Sequence, residues 1–581
     1  MNEILRKFSV CGISLSLLSL AVDAAAASAK VALIHSNPAL GEVTQNVAAL
    51  GALVEEAFQN GADIVVTPEL ATTGFSITRQ DVVDSLGFTS PYPELDGIRD
   101  LAIAYQGYVA VGIAEVTPSD AVYNSVVAFG PDGFIETQQK RGLSGWHDAG
   151  DVPFDVITTP YGDIGMLICS DSYLPDWMRI IALEGADIVL LPSNWWGRDG
   201  QEEIWQTRAR ENGVWFLAAN RWGSEVDERF GSPFTYYMND APSAAISPDG
   251  NIKLIYRTED DPLPPADTIL YQTVVVPDGR IGNASNPAYP VSYREPSAYG
   301  AIANSYYRRD LGYEPAPGLP PAGPVRVAAM AYKPALSPAH NLTTINQLWS
   351  TRSQDADVLV LPGLGASVLP VNASNSGWYS ASPWSALQTF VEQNALSLLV
   401  TTVIEYEPGD TLHESLLLVR PGVPPSLHAQ IHDAPFLENG SGAEPVLIDL
   451  PSARVGVLTG QDALFPETGT HLAKAGADIL LITSTSGSLA PNDPLSLIGY
   501  HWDVDALRRM WRTRTNEVVH LAASDWTGNG IIVENGGGYI SNLEDVGAGG
   551  RLKIMNLDTS TVRYKFLNSY YPFDLAVLLD D

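Results

Sequence analysis

Outside its first 29 residues the chain carries one cysteine, Cys169, at the end of the apolar run IGMLIC; the other, Cys11, lies in the N-terminal segment. Two cysteines build neither a disulfide framework nor a thiolate zinc site. A lone cysteine after such a run is commonly a small core residue. To act as a nucleophile it would need help, because a thiol of pKa about 8.5 is mostly protonated at neutral pH. A base or a nearby positive charge supplies that help. Glu69, in IVVTPEL, and Lys140, in ETQQK, are of the required types. Each also has a plainer reading, as a paired structural carboxylate and as an exposed strand lysine. Arg208, Arg210 and Glu211 read as surface charges on a helix, with Arg208 and Glu211 at the i, i+3 spacing of a structural pair. His428, His432 and Asp433 could be a metal or acid–base cluster, but three such residues in a loop are more commonly solvated or structural.

The elements that must position these groups are legible. VALI, DIVVTP, YVAVGIAE, IGMLIC and DIVLLPS are short, β-branched and nearly continuous, as buried strands are. Between two of them TQNVAALGALVEEAFQNG has apolar residues at 3–4 spacing and Gly61 as a stop. Strands alternating with helices indicate an α/β layered domain. The pattern then occurs again. KVALIHSNPALGEVTQN from Lys30 answers RVAAMAYKPALSPAHN from Arg326, and GADIVVTPEL from Gly61 answers DADVLVLPGL from Asp355. YGDIGMLICSDSYLP answers SARVGVLTGQDALFP, EGADIVLLPSNWW answers AGADILLITSTSG, and IWQTRARENGVWFLAAN answers MWRTRTNEVVHLAAS. A period of roughly 300 residues is far too long for a solenoid, so one domain is written twice: residues 30–284 and 325–581. The proline-dense segment 285–324 between them, with YREPSAYG and YEPAPGLPPAGP, suits a semi-rigid linker.

Four stretches of the first copy occur together in a telling order. They are IVVTPEL with Glu69; the hairpin with Tyr123-Asn124-Ser125 and Pro131-Asp132-Gly133 leading to Lys140; IGMLICSDSYLPD with Cys169, Asp171 and Pro175; and PSNWW followed by RARENGVWFLAANRWG. In this set the chain resembles the nitrilase, or carbon–nitrogen hydrolase, superfamily. The resemblance implies two αββα-sandwich domains in tandem and a Glu69–Lys140–Cys169 catalytic set that needs no metal or organic cofactor. It implies that Glu69 takes the thiol proton and returns one to the leaving amine. Lys140 then stabilises the oxyanion, helped by the Ser170 N–H if Cys169 sits at a strand-to-helix elbow. Many members carry a further glutamate in the loop after the lysine. Here that loop is short and has no glutamate; Asp148 and Asp151 are its acids, with turn chemistry around Gly150 the favoured reading of Asp151. Trp146, His147, Tyr173, Asn194, Trp195 and Trp196 fall where the family lines its pocket. That makes an apolar or aromatic acyl group one option and plain packing the other. Ser172-Tyr173-Leu174 stands where related carbamoylases place carboxylate-binding arginines, so that substrate type is not expected. Ser170-Asp171, where nitrile hydrolases often have Trp-Glu, favours an amide; nitrile hydrolysis, acyl transfer to an amine and non-catalytic binding are the alternatives. In the second copy Glu69 falls on Gly363, Cys169 on Gly460 and Lys140 near Gln430, so residues 325–581 are expected to be catalytically dead. Family members pair sandwich to sandwich, so the dead copy is expected to offer an intramolecular partner, with homo-oligomers a further option.

Composition narrows the partners. The 581 residues include 67 acidic and 33 basic side chains, a formal net charge of −34. With no basic run, nucleic-acid binding is not expected; a small-molecule amide or nitrile is. Residues 1–29 have basic Arg6 and Lys7, an apolar run from Phe8 to Val22, and small residues with Ala27-Ser28-Ala29 as one cleavage motif. This is the pattern of a secretory signal peptide, and the run is short for a membrane span. A periplasmic or secreted protein without stable membrane insertion is therefore expected.

Overall fold

The computed structural model describes residues 27–142, 145–197, 201–228, 233–276, 294–304, 306–307, 314–366, 383–407, 411–432, 443–485, 504–527, 530–535, 539–546, 549–565 and 572–579. The first copy opens with β1 (Ala27–His35), α1 (Val43–Gln59), β2 (Ile64–Val66), α2 (Asp96–Tyr105), β3 (Tyr108–Val116), β4 (Val122–Phe129) and β5 (Ile135–Gln139). It continues with β6 (Ile164–Met166), α3 (Pro175–Leu183), β7 (Ile188–Pro192), α4 (Gln201–Asn212), β8 (Trp215–Ala219), the hairpin β9 (Ser224–Asp227) and β10 (Phe234–Tyr237), β11 (Ser243–Ile246), β12 (Ile252–Tyr256) and β13 (Thr268–Val276). One sheet has the order β13-β1-β2-β3-β4-β5 and the other β12-β11-β8-β7-β6. Strands β1, β2 and β3 are parallel, as are β6, β7 and β8.

The period of two along each strand builds four layers. Val31 and Leu33 of β1 and Ile188 and Leu190 of β7 meet in the core between the sheets. Their alternates point outward: Ala32 and Ile34 pack under α1 and α2, while Val189 and Leu191 pack under α3 and α4. Burial on both faces is why these runs are continuously apolar rather than alternating. Gly61 ends α1 as expected, with φ +78°. Strand β1 begins at Ala27 and pairs Ala27 with Val276, so the Ala27-Ser28-Ala29 motif lies inside a paired strand.

The second copy repeats the plan, with sheets of seven and six strands. Its helices are α5 (Pro338–Ser350), α6 (Pro383–Gln393), α7 (Pro466–Lys474), α8 (Val504–Arg514) and α9 (Pro572–Leu579). The two copies meet through repeat-related helices. In α3 and α7, Asp176 accepts from Thr470 Oγ1 at 2.8 Å and Arg179 Nε lies 3.2 Å from Glu467 Oε1. Asp176 corresponds to Glu467 and Arg179 to Thr470, so the contact is reciprocal, the mark of a two-fold interface. In α4 and α8, Arg514 Nη2 donates to Glu211 Oε2 at 2.9 Å, and Arg208 pairs with the other oxygen of Glu211. Arg208 and Glu211 are fully buried here, which corrects their reading as surface charges; the expected pair exists, shielded by the second copy.

The segment between the copies is more than a spacer where it is described. It folds into 3₁₀ turns at Pro296–Ala298 and Gly300–Ala303, and Tyr299 and Ile302 join the α3/α4 core. Proline's fixed φ suits such turns. Among the described residues no helix is long and apolar enough to cross a membrane.

Candidate active site

The groups singled out in the sequence converge where parallel strands of both sheets end, the usual place for a site in α/β architecture. After β2 the chain turns through Thr67-Pro68-Glu69, and Leu70 adopts φ +50°. Glu69 N–H donates to the Ser193 carbonyl, 3.2 Å away beyond β7, which ties the two sheets at this point. Gly112 of β3 passes so close that a Cβ there would lie 2.9 Å from Glu69 Cα. Any larger residue would push the carboxylate out of place.

Lys140 follows β5. Its N–H donates to the Asn124 carbonyl at 2.8 Å, and its Nζ reaches Glu69 Oε1 at 2.6 Å. Asn124 Nδ2 donates to the same Oε1 at 2.7 Å, while Glu69 Oε2 is buried without a partner. Lys140 is 2% exposed, so the exposed-lysine reading is wrong. Burial opposes its charge, but Glu69, Cys169 and Asp171 outweigh burial and raise its pKa.

Cys169 stands after β6 at φ +46°, at the head of a 3₁₀ turn Cys169–Ser172. A non-glycine residue pays about 1–3 kcal/mol for that conformation, and the elbow expected of a nucleophile is there. Burial raises the thiol pKa first and the Glu69 charge raises it further; Lys140 and the Asn194 backbone N–H pull it down without cancelling the rise. The resting group is thus a neutral thiol beside a carboxylate. Asp171 braces both sides of the site. It accepts from Gly142 N–H at 2.8 Å, Ile168 N–H at 3.3 Å and Arg141 N–H at 3.4 Å. Burial lifts its pKa to about 6 against the pull of Lys140 and these N–H groups.

The other candidates divide. His147 is buried, and its Nδ1 meets the Asp148 carbonyl at 2.8 Å. A carbonyl only accepts, so Nδ1 carries the proton and Nε2, which is buried without a partner, is a bare acceptor. Burial, then the Lys140 charge, lowers the imidazole pKa to about 4. Trp146 packs edge-on against His147, ring centroids 5.0 Å apart. Asn194 is fully buried with neither side-chain atom partnered. Trp195 packs on Trp205 and belongs to the core. Trp196 is 43% exposed and leans on Tyr236 and Phe75 at 4.7 and 6.3 Å. Tyr173 is also exposed, and its carbonyl accepts from Arg208 and, across the seam, from Asn516. Ser170 is exposed at the start of the 3₁₀ turn, where first-turn N–H groups lack helical partners. Asp148 lies on the outer side, in a two-pronged pair with Arg79, and Asp151 is exposed. Sequence reasoning gave no role to Asn124, Arg221 or Glu225. Arg221 pairs with Glu225, which receives the N–H groups of Phe75 and Ser76 and so clamps the loop after Glu69. Asn124 lay in the Tyr-Asn-Ser motif and Arg221 in the stretch RARENGVWFLAANRWG; nothing in the sequence pointed to Glu225.

Several main-chain bonds of the site recur in the second copy. Gly363 N–H donates to Ser484 O at 2.9 Å and Gln430 N–H to Glu414 O at 2.8 Å, as Glu69 and Lys140 do to their partners. Asp462 receives Ile431 and His432 N–H as Asp171 receives Arg141 and Gly142. Gln430 is therefore the counterpart of Lys140. Gly460 is not among the residues with positive φ, so the elbow has relaxed along with the loss of the thiol. His432 is buried between Asp462 and Tyr299 and is structural, while His428 is half exposed. Asp433 lies outside the described residues. Among the described residues no three His, Cys, Asp or Glu side chains gather as metal ligands.

Known proteins resemble each of the two copies. The family profile described as carbon-nitrogen hydrolase matches residues 30–259 and again 326–514. A nitrilase of Pyrococcus abyssi is 32% identical over 210 residues, 35% of this chain and 78% of that protein. An N-carbamoylputrescine amidase of Solanum tuberosum is 28% identical over 219 residues, 34% of this chain and 72% of that protein. Among solved structures, Saccharomyces cerevisiae Nit3 covers 46% of this chain and 96% of its own at 20% identity and a TM-score of 0.39.

Proposed function

Because this chain belongs to the carbon–nitrogen hydrolase family, in two tandem nitrilase-like domains, we propose that its first copy hydrolyses a non-peptide amide through a thioester on Cys169. The observation that carries this reading is the buried set of Glu69, Lys140 and Cys169 on three turns at adjoining ends of the two sheets. Glu69 and Lys140 cancel in charge, so the thiol rests neutral. As sulfur attacks the carbonyl carbon, its proton passes to Glu69, and negative charge appears on the substrate oxygen. Lys140 then exchanges a carboxylate counter-ion for that oxyanion, with no net charge brought into the buried site. Glu69 gives the proton to the departing nitrogen, and ammonia or an amine leaves. A water then surrenders a proton to Glu69 and attacks the thioester; the C–S bond breaks, and the thiol takes the proton back.

An amide is favoured over a nitrile by a bare buried acceptor near the Glu69–Lys140 pair. His147 Nε2 is buried and unpartnered, and an amide nitrogen offers N–H groups where a nitrile offers none. Nitrile hydrolysis and acyl transfer to an amine remain the second reading, since both pass through the same thioester. Trp196, packed on Tyr236 and Phe75, lies in the stretch that lines the pocket in the family and suits an apolar or aromatic acyl group. Export by the N-terminal segment completes the proposal, and sequencing of the mature N-terminus tests it; cleavage after Ala26 would leave β1 whole. The activity is tested by mass spectrometry of the protein incubated with amide and nitrile panels. An acyl adduct on Cys169 that disappears in Cys169→Ala is expected; ammonia release that survives Cys169→Ala would overturn the proposal.

A further inference from the structure

Lys140 is followed by a second buried cation. The Arg141 guanidinium donates from Nη1 to the Gly150 carbonyl at 2.6 Å and from Nη2 to the Val152 carbonyl at 2.6 Å. Nη2 also reaches Asp574 Oδ1 at 3.3 Å, with both side chains essentially unexposed. Asp574 belongs to α9 of the second copy. The Arg141 guanidinium carbon lies 4.8 Å from the ring centre of Phe154 and 5.2 Å from that of Phe573, again in α9. Helix α9 is held in place by the same seam. Leu578 joins the α3/α4 core, and Arg294 bridges the Leu578 carbonyl and Glu467 of α7.

The main chain at this point has little freedom. Lys140 N–H is bonded to Asn124 O, Lys140 O to Gly150 N–H at 2.8 Å, and Arg141 and Gly142 N–H to Asp171. Arg141 is the peg that joins this mount to the loop returning at Gly150–Val152. Each of the two adjacent buried cations has a buried carboxylate in contact. Glu69 serves Lys140, and Asp574 serves Arg141. Without Asp574 the guanidinium would lose a buried counter-ion next to Lys140.

We propose that α9 of the degenerate copy is a positioning element of the first copy's site, in which Asp574, by holding Arg141, keeps Lys140 on Glu69. This rests on the reading of Glu69, Lys140 and Cys169 given above. It supplies a physical reason for the dead copy: its end completes the mount of the working lysine.

The test uses the full chain with Asp574→Asn, Asp574→Glu and Thr470→Val. The last removes a seam hydrogen bond to Asp176 without touching Arg141. Readouts are melting temperature, the rate and pH profile of Cys169 alkylation by iodoacetamide followed by mass spectrometry, and ammonia release from propionamide and butyramide. Asp574→Asn is expected to slow alkylation at pH 7 at least tenfold and to move its pH midpoint. Asp574→Glu is expected to recover to within about threefold, and Thr470→Val to lose melting temperature with an unchanged pH profile. The proposal falls if Asp574→Asn alkylates within twofold of the parent with the same midpoint. It falls too if Thr470→Val shifts the profile as much. Glu69→Gln and Lys140→Met serve as references: if they alkylate like the parent, the active-site reading falls with it; if they are slow while Asp574→Asn is not, this inference alone falls.

Discussion

The Glu69–Lys140 pair makes a quantitative prediction about stability. The two side chains are 0% and 2% exposed, with 2.6 Å between Oε1 and Nζ, so each is the other's counter-ion. Removing one partner of a buried pair strands the other and costs about 3–5 kcal/mol. Glu69→Gln keeps the shape and an acceptor oxygen for Asn124 but removes the charge; Lys140→Met removes the ammonium at similar volume. A folding unit of this size loses about 2–4 °C of melting temperature per kcal/mol. Each single variant is therefore expected to melt on the order of 10 °C lower. The double variant strands no charge and should recover most of that loss. Chemistry should show no such recovery. Loss of the base costs about 10²–10⁴-fold in rate, and the double variant should be as slow as the worse single one. Calorimetry on the three variants, with Cys169 acylation rates measured alongside, checks both halves. Melting losses that simply add would refute the counter-ion argument, because they would mean each charge is solvated independently of the other.

Other outcomes follow from the same contacts. His147→Leu should slow primary amides far more than the matching esters, which have no N–H for Nε2 to accept; equal slowing would make His147 a packing residue. Glu211→Ala strands Arg208 and Arg514, both buried, and should cost about 3–5 kcal/mol by thermal or denaturant melting; a loss under 1 kcal/mol would refute the burial argument. His35, His147 and His471 are each lowered by burial from 6.5 to about 4. The unfolded chain binds those protons first, so stability should fall as pH drops from about 6.5 to about 4. His35→Gln should flatten that slope in melting curves, and an unchanged slope would contradict the assignment. Burial of Glu414 raises its pKa from 4.5 to about 8, so its contribution is lost as pH rises through that window. Glu414→Gln should melt higher than the parent at pH 9 and nearly equally at pH 4.

The fold was largely legible because strands buried on both faces, ended by Pro-Glu or Cys and separated by helices, leave unmistakable continuous runs. The main catalytic candidates were legible because an ordered set of short motifs brackets them. What the sequence hid was the company those residues keep. Arg208 and Glu211 look like a solvated helix pair until Arg514, some 300 residues away along the chain, covers them. Tyr299 and Ile302 sit in a stretch whose prolines announce a linker, and only packing on α3 and α4 makes them core. The protonation of His147 follows from a carbonyl one residue on, a geometric fact with no compositional trace. Asn124 was in view as part of a motif, but its bond to Glu69 depends on a turn in another strand.

The glycines of the second copy carry a consequence for its history. A Cβ on Gly363 would lie 2.6 Å from Thr485 Cγ2, and one on Gly460 would run into the Ser484 side chain. Ser484 and Thr485 correspond to Ser193 and Asn194 of the first copy, so the path of the main chain at Gly363 and Gly460, rather than a bulkier neighbour, leaves no room for a side chain. Writing glutamate and cysteine back into these two positions would thus create collisions rather than a working site. The loss is entrenched: restoring the two side chains would first require re-laying the turns that carry them, at a cost in stability that no intermediate sequence would be rewarded for bearing.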